Sequence, residues 1–114
     1  MTVAGALIKA LGRRGVKAEY ASATGPSADV SVGTGAAANI DVSVSLSGGA
    51  FLTTPTIVLL TEVSGLPDGV VLAGWSFPSK STSSITVRLR VYNPTSADIT
   101  VSADSVTVKI VVIE

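Results

Sequence analysis

Ser83-Ser84-Ile85-Thr86-Val87-Arg88-Leu89-Arg90-Val91-Tyr92 decides the fold of this chain. Ile85, Val87, Leu89 and Val91 fall on one side of an extended backbone, and Thr86, Arg88, Arg90 and Tyr92 on the other. Alternation with period two over eight residues specifies a strand with one buried and one wet face. Asn93-Pro94-Thr95 ends it, because proline donates nothing to a ladder and biases the residue before it away from helix. The chain closes on a second strand of this kind, Ser105 to Glu114, with Val106, Val108, Ile110 and Val112 inward. There Val111 and Ile113 share the outer face with Thr107 and Lys109, which points to a cover over that face as well.

Working outward, Asn39 to Ser47 repeats the pattern, with Ile40, Val42, Val44 and Leu46 inward. Ala28 to Val32 and Asp98 to Ser102 predict short strands, and Val16 to Ser22 another, with Ala18 and Tyr20 on one side. Thr54 to Thr61 is apolar on both faces and predicts a strand that is central or covered twice. Asp68-Gly69 predicts a hairpin into Val70 to Phe77, with Trp75 and Phe77 on one face. The expected fold is all-β: a small antiparallel sandwich of seven or eight strands over residues 23–114, preceded by a helical, basic arm over residues 1–22.

The arm rests on Met1 to Gly15. Thr2 can cap a helix there, and Val3, Leu7, Ile8 and Leu11 recur at helical spacing. Lys9, Arg13, Arg14 and Lys17 are half of the chain's eight positive charges, and no acid precedes Glu19. Three roles fit: a helix packed on its own domain, an arm docked on a neighbouring subunit or acidic partner, and contact with nucleic acid or a membrane surface. The basic residues follow the apolar stretch, the wrong order for a secretory signal, so export by the usual route is not expected. No apolar run approaches the roughly 18 residues of a membrane span, and neither membrane nor nucleic acid is an expected partner.

Composition narrows the chemistry. The 114 residues contain no histidine and no cysteine. The commonest general base, the commonest transition-metal ligand and any disulfide framework are therefore missing. The acids are scattered singly, with no calcium-loop run among them. Gly33 to Ala38 matches neither phosphate-cradling pattern. No catalytic residue, cofactor or metal is expected. Charged residues are 14% of the chain and net charge is zero, a surface that does little to oppose association. Arg88 and Arg90 fit either an acidic partner or charges that keep a strand soluble. Trp75 fits either a platform for a sugar ring or an ordinary core or rim aromatic.

The stretch from Phe51, through Thr54-Pro55-Thr56-Ile57-Val58-Leu59 and Thr82 to Tyr92 with Asn93, to the closing Val106 to Ile113, resembles the H-type lectin domain. That family is a small sandwich that forms trimers with sugar sites between subunits, and related sandwiches occur in bacteriophage tail fibres and head decoration proteins. The resemblance implies a non-enzymatic virion protein, assembled in the host cytoplasm. It would trimerise and decorate a capsid, meeting the major capsid protein through its N-terminal segment. The alternative it implies is a carbohydrate-binding module of a tail fibre. Expected assembly contacts are Leu7, Ile8, Leu11, Arg13, Arg14, Lys17, Arg88 and Arg90, with Trp75 as the ligand platform.

Overall fold

The computed structural model describes residues 18–47 and 54–114. They form eight strands and no helix: β1 (Ala18–Gly25), β2 (Val30–Val32), β3 (Ala37–Ser45), β4 (Ile57–Ser64), β5 (Val71–Lys80), β6 (Ser84–Tyr92), β7 (Ile99–Val101) and β8 (Val106–Ile113). The helix expected over Met1 to Gly15 lies outside these residues. β1 runs through residues 18–22 and is paired with β8 along its whole length. The boundary expected between residues 22 and 23 therefore falls inside a strand, and Gly25-Pro26, joined by a cis bond, ends that strand instead of linking two units.

Every ladder is antiparallel. One sheet has the order β1-β8-β4, a second β3-β6-β5, and β2 pairs with β7 in a two-stranded sheet. The alternating residues meet in one core: Ile40, Val42 and Val44 from β3, Ile85, Val87, Leu89 and Val91 from β6, and Val106, Val108, Ile110 and Val112 from β8. With so few aromatics, interlocking β-branched side chains supply the packing.

The two sides of the sandwich differ. On one side β1 runs against β3. A Cβ on Gly25 would come within 2.9 Å of Val42 Cγ2 and 3.2 Å of the Asp41 carbonyl oxygen, so only glycine permits this approach. Glu19 closes the other end of the same seam, where both its carboxylate oxygens accept from the Ser47 backbone N–H at 2.9 and 3.1 Å. On the opposite side lie the edge strands β4 and β5. The Asp68-Gly69 turn was expected to make them a hairpin. It does not: β4 pairs with β8 and β5 with β6, so the turn carries the chain from one sheet to the other. Turn chemistry fixes a reversal of direction, but it does not choose the ladder the next strand joins.

Candidate functional site

The outer face of the β3-β6-β5 sheet is polar, and its register assembles a site. Asp41 stands directly opposite Arg88, Asn39 opposite Arg90, and on the other side Gly74 faces Arg90 and Ser76 faces Arg88. Arg88 holds Asp41 with two parallel bonds, Nε to Oδ1 at 2.9 Å and Nη2 to Oδ2 at 3.0 Å. This fork is the geometry in which guanidinium and carboxylate bind most specifically. The hydrogen bond from Arg88 holds the Asp41 carboxyl below the usual carboxylate range, and Asp41 in turn raises Arg88. Arg88 is thus committed within the sheet.

Arg90 is placed differently. Its Nη1 donates to Asn39 Oδ1 at 3.3 Å, and among the described residues no carboxylate forms an ion pair with it. Beside it, a Cβ on Gly74 would meet nothing within 4 Å. The missing side chain opens a depression of about 420 Å³ lined by Asn39, Gly74, Trp75, Ser76, Arg88 and Arg90. Its chemistry is guanidinium donors, an amide and a hydroxyl, which suits a carboxylate or the hydroxyls of a sugar.

Trp75 is 55% exposed. Trp75 stands opposite Leu89, a core residue, yet stays exposed at the rim of the edge strand, while Phe77, two residues on, packs against the core. Trp75 also borders a second depression, about 240 Å³, lined by Leu60, Thr61, Glu62 and Val63 of β4 and Leu72 of β5. It therefore belongs to both the polar depression and the open side of the sandwich.

The outer face of the β1-β8-β4 sheet is apolar at one end. Ala18, Ile113 and Ile57 form one cross-strand row, and Tyr20, Val111 and Leu59 the next. The Lys109–Glu62 ion pair, 2.9 Å long, marks where that face turns polar, and the Glu62 hydrogen bond raises the Lys109 pKa.

The structure thus brings together three expected residues, Arg88, Arg90 and Trp75. Leu7, Ile8, Leu11, Arg13, Arg14 and Lys17 lie outside the described residues. Asn39, Gly74 and Ser76 were not anticipated, because their place beside the arginines depends on long-range register. Among the described residues no group of three or more acids converges as metal ligands would. Comparison with known proteins finds no match: no family model, no curated protein and no solved structure is similar to this chain.

Proposed function

We propose that this chain is a non-enzymatic structural protein that works by self-association. The observation that carries the reading is the set of large apolar side chains left exposed on the two edge strands of the open side. Ile57 and Leu59 of β4 and Val71 and Trp75 of β5 are large, exposed and carried by the two edge strands there. Large apolar side chains left open to water favour burial against another protein, and tryptophan is among the side chains most often found at the energetic centre of such contacts. With net charge zero, repulsion between copies is weak. Through its resemblance to the sandwiches of bacteriophage particles, the assembly is a trimer of the capsid-decoration type.

Native mass spectrometry of the full chain tests this. A trimer that dissociates in Trp75→Ser supports the reading. A monomer at every concentration up to the millimolar range overturns it.

A second reading, carbohydrate binding, is favoured by Trp75 standing beside Asn39, Ser76 and Arg90 around one depression. Saturable binding on a glycan array that is lost in both Trp75→Ala and Arg90→Ala would replace the structural reading with this one.

A further inference from the structure

Gly74 is a glycine that the fold does not require. A side chain at Gly25, Gly65 or Gly69 would run into neighbouring atoms, and Gly35 has a positive φ. At Gly74 a Cβ would meet nothing within 4 Å among the described residues, and the backbone lies outside the left-handed region. The register shift between Leu72 and Gly74 therefore does not call for glycine either. Glycine inside a strand weakens the ladder and packs nothing, and one recurrent use of it there is to let a ligand come close. What the missing side chain leaves is the depression of about 420 Å³ beside Arg90, within the size range of small-molecule sites.

The charges around this depression are sorted. Arg88 gives Nε and Nη2 to Asp41, so its charge is answered within the sheet and both carboxylate oxygens are engaged. Arg90 follows on the same face, about 7 Å along β6. Among the described residues it makes one side-chain bond, from Nη1 to the neutral Asn39 amide oxygen, and no ion pair. A guanidinium has five N–H donors, so enough remain for a second acceptor pair. A planar carboxylate takes such a fork with two parallel bonds. One unanswered positive charge matches the single charge of a carboxylate and falls short of a phosphate, which carries about −1.5 to −2.

The rest of the lining selects what bears the carboxylate. Ser76 and Asn39 supply a hydroxyl and an amide, which donate to and accept from sugar hydroxyls. Trp75, at the border and 55% exposed, supplies an aromatic surface for the C–H face of a sugar ring. An acidic peptide side chain carries its carboxylate alone on a flexible stem. A sugar acid brings ring hydroxyls with it, at fixed distances from the charge.

We propose that the depression over Gly74 binds an acidic sugar, a pyranose ring carrying a carboxylate. Arg90 takes the carboxylate, Ser76 and Asn39 take ring hydroxyls, and Trp75 packs against the ring. Arg88, locked to Asp41, keeps that acid from competing for Arg90. This rests on the carbohydrate reading of the depression and names the class of sugar.

Trp75 is the chain's only tryptophan, so its emission reports binding without a label. The full chain is titrated with the methyl glycosides of glucuronic, galacturonic and N-acetylneuraminic acid, each beside the analogue whose carboxylate is reduced to an alcohol. At least one acid is expected to change the emission saturably, with a Kd about tenfold or more below that of its alcohol, as a charge-assisted pair dictates. Arg90→Gln is expected to remove that preference, and Lys80→Gln, which deletes an equal charge elsewhere on β5, to keep it. Gly74→Val fills the depression and is expected to abolish binding with the β circular-dichroism signal intact. Acids and alcohols that bind equally overturn the inference and leave the carbohydrate reading standing. No binding of either overturns both. Acetate that matches the acids, a preference that survives Arg90→Gln, or full binding by Gly74→Val overturns the inference as well.

Discussion

Asn93 Nδ2 donates to the Val32 carbonyl oxygen at 2.9 Å, across 61 positions of sequence and in a site from which water is excluded. The same nitrogen donates to the Ala97 carbonyl at 2.8 Å, and Oδ1 accepts from the Thr95 N–H and hydroxyl at 2.9 and 2.6 Å. Its backbone N–H reaches Ala36 and its carbonyl accepts from Gly35. One side chain thus fixes the turn after β6 and ties it to β2. Replacing Asn93 with Ala strips its bonds to the Val32 carbonyl and the Thr95 backbone N–H and leaves the Ala97 carbonyl with the Thr95 hydroxyl alone. Each buried group left unpaired costs about 1–3 kcal/mol, so urea unfolding should show a loss of about 3 kcal/mol or more. Asn93→Asp keeps the shape but turns carboxylate oxygen toward two carbonyls, and it should lose at least as much.

Gly65 has φ +87°, and a Cβ there would collide with the Ser105 carbonyl oxygen. Both the backbone region and the contact exclude a side chain. Gly65→Ala should lower stability by about 2 kcal/mol or more by thermal or chemical unfolding, the backbone strain and the clash each contributing. Gly74→Ala, with open space around its Cβ position, is the control and should stay within about 0.5 kcal/mol of the parent.

Ile110 is fully buried at the centre of the β1-β8-β4 sheet, facing the core. Truncation to Ala should cost about 2–5 kcal/mol through lost transfer energy and a residual cavity. Trp75→Ser removes a larger side chain from the rim and should cost the monomer less than half of that, measured by the same denaturant titration. A monomer loss equal to that of Ile110→Ala would place Trp75 in the folding core and remove it from the proposed interface.

The Asp41–Arg88 fork makes stability depend on pH with a definite sign. The Asp41 carboxyl is held below its ordinary range in the folded chain, chiefly by the Arg88 hydrogen bond. A depressed acid contributes stability that is present above its unfolded pKa and is lost as pH falls through the folded one. The thermal midpoint should therefore decline on acidification through and below the normal carboxylate range. Asp41→Asn should flatten that decline, modestly, because the pair is at the surface and screened by salt. An identical decline in both proteins would assign the effect to other acids.

Period-two alternation made β3, β6 and β8 legible, because a strand wet on one side writes its orientation into every second residue. The strand around Ile57 was expected to be central or covered on both faces; it is instead the edge strand β4, and Ile57 and Leu59 on its outer face stay exposed, because apolar residues on both faces do not say how many neighbours a strand has. Register carried the rest. Asp41 and Arg88 are 47 positions apart, and only the β3–β6 ladder makes them a pair. The exposure of Trp75 beside a partly buried Phe77 follows from the edge position of β5, which no local pattern announces. The role of Asn93 was hidden for a related reason: Asn before Pro reads as a turn, and burial of its amide depends on strands that arrive from elsewhere.

The irregularities of the sandwich all fall on one side. β4 shifts register between Leu60 and Glu62, and β5 shifts twice, with Pro78 inside the second break. The other edges of the two three-stranded sheets, β1 and β3, lie against each other. A chain so rich in valine and threonine has the composition of a strand-stacking polymer, and an unbroken free edge would let it grow by adding copies end on end. Bulges and a missing donor deny such growth a template. Contact between copies, under the proposed self-association, would then run through side chains instead of strand pairing, at a stoichiometry set by surface shape.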